Sequence, residues 1–123
     1  MAAIWAIGLA AALPPVAEGT QELLVYIKLS DDGFGASGEV FGYTAFEDQL
    51  YEQVQNKKVG ELDGHESGKG YLVLYFYGPS ADRMFKAIEP TVRAKNLPAG
   101  SYVVKRYAGR GGRDVRIELT TGP

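Results

Sequence analysis

The sequence predicts an α+β protein, a ferredoxin-like split βαβ sandwich with an antiparallel sheet, two helices on one of its faces and a C-terminal hairpin. Three observations predict it. The periodic segments run strand, helix, strand, strand, helix, strand, strand. Residues 71–77 alternate, with Leu72, Leu74 and Phe76 on one side and Tyr71, Val73, Tyr75 and Tyr77 on the other, which is the period of a strand between two different surroundings. The chain has 123 residues and no cysteine, enough for one core without disulfide staples. Residues 1–20 read as an N-terminal apolar segment and residues 21–123 as a single domain.

Residues 23–29 (LLVYIKL) carry a β-branched and aromatic bias and form the first core strand. Glycines 33, 35, 38 and 42 crowd residues 31–43, too many for a regular element. Gly33, Gly35 and Gly38 spell a literal G-x-G-x-x-G. A dinucleotide fingerprint must leave its strand directly and open the next helix. Here the helix signal waits until Thr44, so no cofactor is expected. Thr44 and Glu47 have the spacing of a capping box. Phe46, Leu50 and Val54 then mark one helical face as far as about Asn56, with Glu47, Asp48, Glu52 and Gln53 on the solvated side.

Residues 59–62 are a short strand candidate, and Asp63-Gly64 supplies turn chemistry. Gly78-Pro79 ends the strand of residues 71–77, and Ser80 caps a second helix with Asp82 in its first turn. Met84, Phe85, Ile88 and Val92 form that helix's apolar stripe. Pro90 removes an internal hydrogen bond and predicts a kink or a restart. After a loop at residues 97–100, residues 101–107 and 114–119 read as a hairpin joined by the glycine/arginine turn 109–113.

Residues 2–13 are apolar, and Pro14-Pro15 breaks the run. A secretory signal needs a basic residue ahead of its apolar region, and the first basic residue is Lys28. About twelve residues are also too few to span a bilayer. The segment is therefore expected as an extra element on the core or a terminal tail, in a cytoplasmic rather than secreted protein with no membrane partner.

The net charge of −2 conceals an uneven distribution. Residues 1–68 carry three basic and eleven acidic groups, residues 69–123 ten basic and four acidic. Such a split marks either an anion-binding surface or acidic and basic elements that neutralise each other in the fold. The pI of about 5.4 favours the second, since nucleic-acid domains are usually strongly basic.

The absence of cysteine excludes thiolate nucleophiles and sulfur-ligated metals. The one histidine, His65, stands beside Asp63 and Glu66, and these three are the candidate catalytic residues of a small enzyme. Zinc-protease spacing needs a second histidine four residues on, so no metal site is expected. A histidine in a polar turn beside carboxylates is more commonly a solvated or capping residue.

Residues 69–76, KGYLVLYF, resemble the longer aromatic signature of the RNA-recognition motif. Leu72 stands where that signature has a small residue, and Val73 where it has a base-stacking aromatic. Val25-Tyr26-Ile27 is similar to the shorter signature, with Lys28-Leu29 in place of its usual asparagine. The resemblance implies that Tyr26 and Tyr71 each stack a base, worth about 1–3 kcal/mol apiece, and that Lys69, Arg110 and Arg113 contact phosphates. The same tyrosine face, Tyr26, Tyr71, Tyr75 and Tyr77, is equally what a protein partner or a homodimer would bury.

A second resemblance covers residues 60–90, GELDGHESGKG…LYFYGPSADRMFKAIEP. It is similar to a family of small, uncharacterised bacterial proteins with a D-G-x-E-x-G turn, a strand ending Y-G-P and a helix opening A-D-x-M-F. The matching positions are Asp63, Gly64, Glu66, Gly68, Tyr77, Gly78, Pro79, Ala81, Asp82 and Phe85. That resemblance implies a bacterial origin and this fold, without an activity. The reading favoured by the sequence is a non-catalytic module that binds a protein, itself or a small ligand through its open sheet face. Small acidic α/β domains also suit the capture of basic toxins. RNA binding and an enzyme built on Asp63, His65 and Glu66 are the alternatives.

Overall fold

The alternation along residues 71–77 decides which side of the sheet is dry. In the computed structural model, which describes residues 20–107 and 113–119, Leu72, Leu74 and Phe76 are at most 1% exposed and lie in the main core cluster. Their strand, β3 (Tyr71–Gly78), pairs antiparallel with β1 (Gln21–Lys28), which adds Leu23, Val25 and Ile27 to the same side. The other strands are β2 (Glu61–Gly68), β4 (Tyr102–Arg106) and β5 (Asp114–Glu118). Among the described residues these make one five-stranded sheet in the order β2-β3-β1-β4-β5, antiparallel at every pairing.

Two helices cover the dry side. Helix α1 (Thr44–Asn56) contributes Phe46, Leu50 and Val54, and α2 (Ala81–Ala94) contributes Met84, Phe85, Ile88 and Val92. Burying each of these large side chains is worth about 1.5–3 kcal/mol. The Ser80 side chain accepts from the Arg83 N–H and caps α2 as its sequence predicts. The α+β class, the antiparallel sheet, the helices on one side and the C-terminal hairpin β4–β5 all match the expectation. The hairpin extends the sheet by a strand beside β4.

Three local expectations are corrected. First, no side chain caps α1, because a 3₁₀ turn at Phe41–Tyr43 leads straight into it. Thr44 Oγ1 donates to the Phe41 carbonyl, and Glu47 is engaged by His65 instead of by the helix end. Second, residues 63–68 are not a turn but most of strand β2. Asp63 is the extra residue of a β-bulge between Leu62 and Gly64, and the reversal comes at Lys69 (φ 52°) and Gly70 (φ 85°). Third, α2 runs unbroken through Pro90. Proline leaves the Lys86 carbonyl without its helical donor, and both residues are on the exposed side of the helix, open to solvent. The apolar run at residues 2–13, and residues 109–112 of the glycine/arginine turn, Arg110 among them, lie outside the described residues.

Two glycines fix how the β2–β3 hairpin closes against α2. A Cβ on Gly78 would lie 2.5 Å from the Val59 carbonyl oxygen and 2.9 Å from Gly60 Cα. A Cβ on Gly60 would lie 2.5 Å from Met84 Sδ. The Y-G-P strand end is thus a packing requirement before it is anything else.

Candidate functional site

Side chains of the opposite parity stand on the face that neither helix covers. At one end of it Tyr26 and Tyr102, paired across β1 and β4, stack with ring centroids 4.5 Å apart and planes 11° from parallel. Tyr71 meets both edge-on, at 5.7 Å and 5.6 Å. These offset and edge geometries are the favourable ones for aromatic pairs. Arg116 of β5 lies over the outer side of this group, its guanidinium carbon 3.6 Å from the Tyr102 centroid and its Nε 2.6 Å from Glu118. Lys28 Nζ is 5.7 Å from the Tyr71 ring.

Gly68 faces Tyr71 across the β2–β3 register with φ 151°. A Cβ there would sit 3.4 Å from Phe34 Cε1, so the Phe34 ring occupies the space that this edge glycine leaves open. Phe34 is nonetheless 73% exposed. The loop presenting it is tightly held. The Asp31 carboxylate accepts from the Gly33 and Gly35 N–H groups, and the Glu39 carboxylate accepts from the Ser30 N–H and hydroxyl and the Ala36 N–H. Those bonds hold both acids below the usual carboxylate range. Gly70 ties the loop to the hairpin, its N–H donating to Gly33 and its carbonyl accepting from Leu29. The result is an aromatic row of Phe34, Tyr71, Tyr26 and Tyr102 across one end of the sheet.

The other end is polar. Arg106 donates to both Glu22 (2.9 Å) and Asp114 (3.1 Å). Tyr75 donates to Glu66 (3.0 Å), and burial, then that hydrogen bond, pushes its phenol well above the ordinary value of 10. Tyr77 is raised by burial and by the charges of Glu61 and Asp63. Asp63 is 8% exposed, and its Oδ1 has no hydrogen-bond partner. Burial first, and the Glu61 charge second, push its carboxyl up to about 6. Beside this corner Gln55, Lys58, Glu61 and Tyr77 line a cleft of about 590 Å³.

The candidate residues are thus distributed as follows. Tyr26, Tyr71, Tyr75 and Tyr77 share the open face. His65 opposes Leu74, a core residue, and turns toward α1, where its Nδ1 lies 2.8 Å from Glu47. Glu66 is on the other side of the sheet with Tyr75. The trio Asp63, His65 and Glu66 is therefore not brought together. Lys69 sits exposed in the hairpin turn. Arg113 lies over the Tyr107 ring (4.7 Å), whose hydroxyl donates to Asp82 of α2, away from the tyrosine row. Tyr102, Arg116, Phe34 and Glu61 belong to the surface without having been singled out by sequence. Tyr102 could have been placed by carrying the alternation through residues 101–107, but only strand register sets it on Tyr26.

Among the described residues no group of three or more His, Asp or Glu side chains could hold a metal ion, and no helix is long and apolar enough to cross a membrane. No protein-family model, curated protein or solved structure matches the chain. The site must be read from its own chemistry.

Proposed function

We propose that this chain is a non-catalytic binding module that takes another polypeptide on the open face of its sheet. The observation that carries the reading is the aromatic row Phe34, Tyr71, Tyr26 and Tyr102, on the side of the sheet opposite both helices. Large aromatic side chains with few rotatable bonds are the usual anchors of protein interfaces. Here the loop clamp and the mutual stacking hold the rings in advance, which lowers the ordering cost of association. The scaffold we take to be a ferredoxin-like sandwich, on the strength of the order β2-β3-β1-β4 with α1 and α2 as its crossovers, extended by β5.

RNA binding is the weaker reading for a geometric reason. One face of Tyr26 is spent on Tyr102, and the other face of Tyr102 carries Arg116. A base could stack there only by displacing a partner already in place. An enzyme is weaker still, since His65 and Glu66 point to opposite sides of the sheet.

The test is selection from an unbiased peptide display library against the wild-type chain, with each enriched peptide then measured against the double variant Phe34→Ser/Tyr71→Ala. Enriched peptides should bind the variant at least about tenfold more weakly, the scale of one lost anchor. No enrichment, or peptides indifferent to the double variant, would remove the reading. Light scattering on the same two proteins identifies the case in which the polypeptide is a second copy, as a dimer that the variant dissociates.

A further inference from the structure

The D-G-x-E segment is the one sequence feature that neither the core nor the aromatic row absorbs. The structure puts its two acids and Glu61 on the outermost strand, β2, beside Tyr75 and Tyr77. We infer that this corner receives an extended basic segment of the bound polypeptide, with arginine or lysine side chains answering Glu61, Asp63 and Glu66. The inference rests on the binding-module reading and names the chemistry of its partner.

Three observations support it together. Among the described residues none of the three carboxylates takes part in an ion pair, whereas Glu22 of the central strand β1 and Asp114 of the opposite edge strand β5 are both held by Arg106. Asp63 is 92% buried by its 8% exposure, beside the phenol that its charge raises, and its Oδ1 is unpartnered. A buried carboxylate oxygen without a donor is costly, and a cation or N–H brought to it recovers that cost. Lys58 and Glu61 are the one cation and the one acid among the residues that line the adjoining cleft. The strand also presents an unpaired edge. β2 has β3 on one side and no described strand on the other, so its outer N–H and C=O groups can pair with an added strand.

The spacing gives the segment a pattern. Glu61 opposes Tyr77 and Glu66 opposes Val73, so the two acids are four rungs apart, about 13 Å along an extended chain. An added strand would match them with basic side chains at positions i and i+4, both directed to the open face because i and i+4 share a side. The bulge at Asp63 shortens the regular edge to the stretch beyond Gly64, which places the backbone pairing next to Glu66.

The test uses two fluorescently labelled extended decapeptides, one with arginines four positions apart among valines and threonines, the other with glutamines in their place. Anisotropy titrations use the full chain and its Glu61→Gln/Glu66→Gln variant. The arginine peptide should bind at least about tenfold tighter than the glutamine peptide and lose that advantage on the variant. It should weaken several-fold from about 0.05 to about 0.3 M salt, as exposed charge pairs do. Equal binding of the two peptides, or a preference that survives in the variant, overturns the cationic partner and leaves the open face as a binding surface. Failure of both peptides while library-selected peptides bind overturns it equally. Failure of both together with an empty library selection takes the binding-module reading with it. Preference for an RNA oligonucleotide over the arginine peptide would also overturn it, because the same carboxylates repel phosphate.

Discussion

His65 Nδ1 lies 2.8 Å from a Glu47 carboxylate oxygen, which ties the chain's one histidine to helix α1 on the side of the sheet away from Glu66. The pair links two elements that packing already holds together. His65 is 43% exposed at its side chain, and partly exposed polar pairs of this kind contribute between nothing and about 1 kcal/mol. His65→Ala should therefore cost less than about 1 kcal/mol in urea denaturation and leave peptide binding unchanged. A loss of binding by more than about threefold with stability intact would return the histidine to the site.

Asp63 predicts an unusual pH dependence. Its carboxyl is pushed from the ordinary 3.8 up to about 6 by burial and by Glu61, so between those values the folded chain binds more protons than the unfolded one. The contribution is fully present below about pH 4 and is lost as pH rises through 6. Asp63→Asn keeps the size of the side chain and removes the buried charge. It should raise stability at pH 7.5 by about 1–3 kcal/mol, the usual cost of a buried polar group without a partner, and by much less at pH 4.5. Asp31, Glu39 and Asp82 are shifted the opposite way, so the comparison is the difference between wild type and variant at each pH. A variant equally stable or less stable at pH 7.5 would show the carboxylate to be satisfied.

How much of this was legible in the sequence depends on the range of the interaction. The core was, because Leu72, Leu74 and Phe76 alternate within one strand and Met84, Phe85, Ile88 and Val92 recur within one helix. The tyrosine face followed from the same alternation. Strand β2 was not. Residues 63–68, DGHESG, have little β propensity, and Gly64 and Gly68 sit at φ 147° and 151°. What makes them a strand is pairing with β3, a tertiary effect that overrides local preference. The bulge then sends Asp63 and Glu66 to one side and His65 to the other, which linear adjacency hides. Tyr102 and Arg116 were out of reach for a similar reason. Tyr102 stacks on Tyr26, some 76 residues away in sequence, and only the β1–β4 register joins them. Arg116 reaches the Tyr102 ring through the β4–β5 register.

Gly78 should be far less tolerant than its neighbours in sequence imply. Its φ is not positive, so conformational freedom is not the issue. A methyl group there would press on the Val59 carbonyl and Gly60 Cα, backbone atoms that cannot rotate away. Gly78→Ala should cost about 1–3 kcal/mol, the range for overpacking. Gly42→Ala is the control, since nothing lies within 4 Å of its would-be Cβ, and it should change stability by less than about 0.5 kcal/mol. Equal effects at the two positions would mean that β2 and β3 separate easily at that end.

The loop that presents Phe34 has two independent clamps, and they should fail separately. Glu39 receives the Ser30 and Ala36 N–H groups, while Asp31 receives those of Gly33 and Gly35. Glu39→Ala should raise amide exchange at Ser30 and Ala36 at neutral pH and leave Gly33 and Gly35 nearly as protected as before, because local openings report the bonds that restrain each amide. Asp31→Ala should do the reverse. Both carboxyls are held below the usual carboxylate range by the bonds they accept, so the wild-type loop should keep its protection to a lower pH than unperturbed carboxylates would allow. If either variant releases all four amides together, the loop opens as one unit, and Phe34 is positioned by the loop's contact with the β2–β3 turn through Gly70 rather than by its carboxylates.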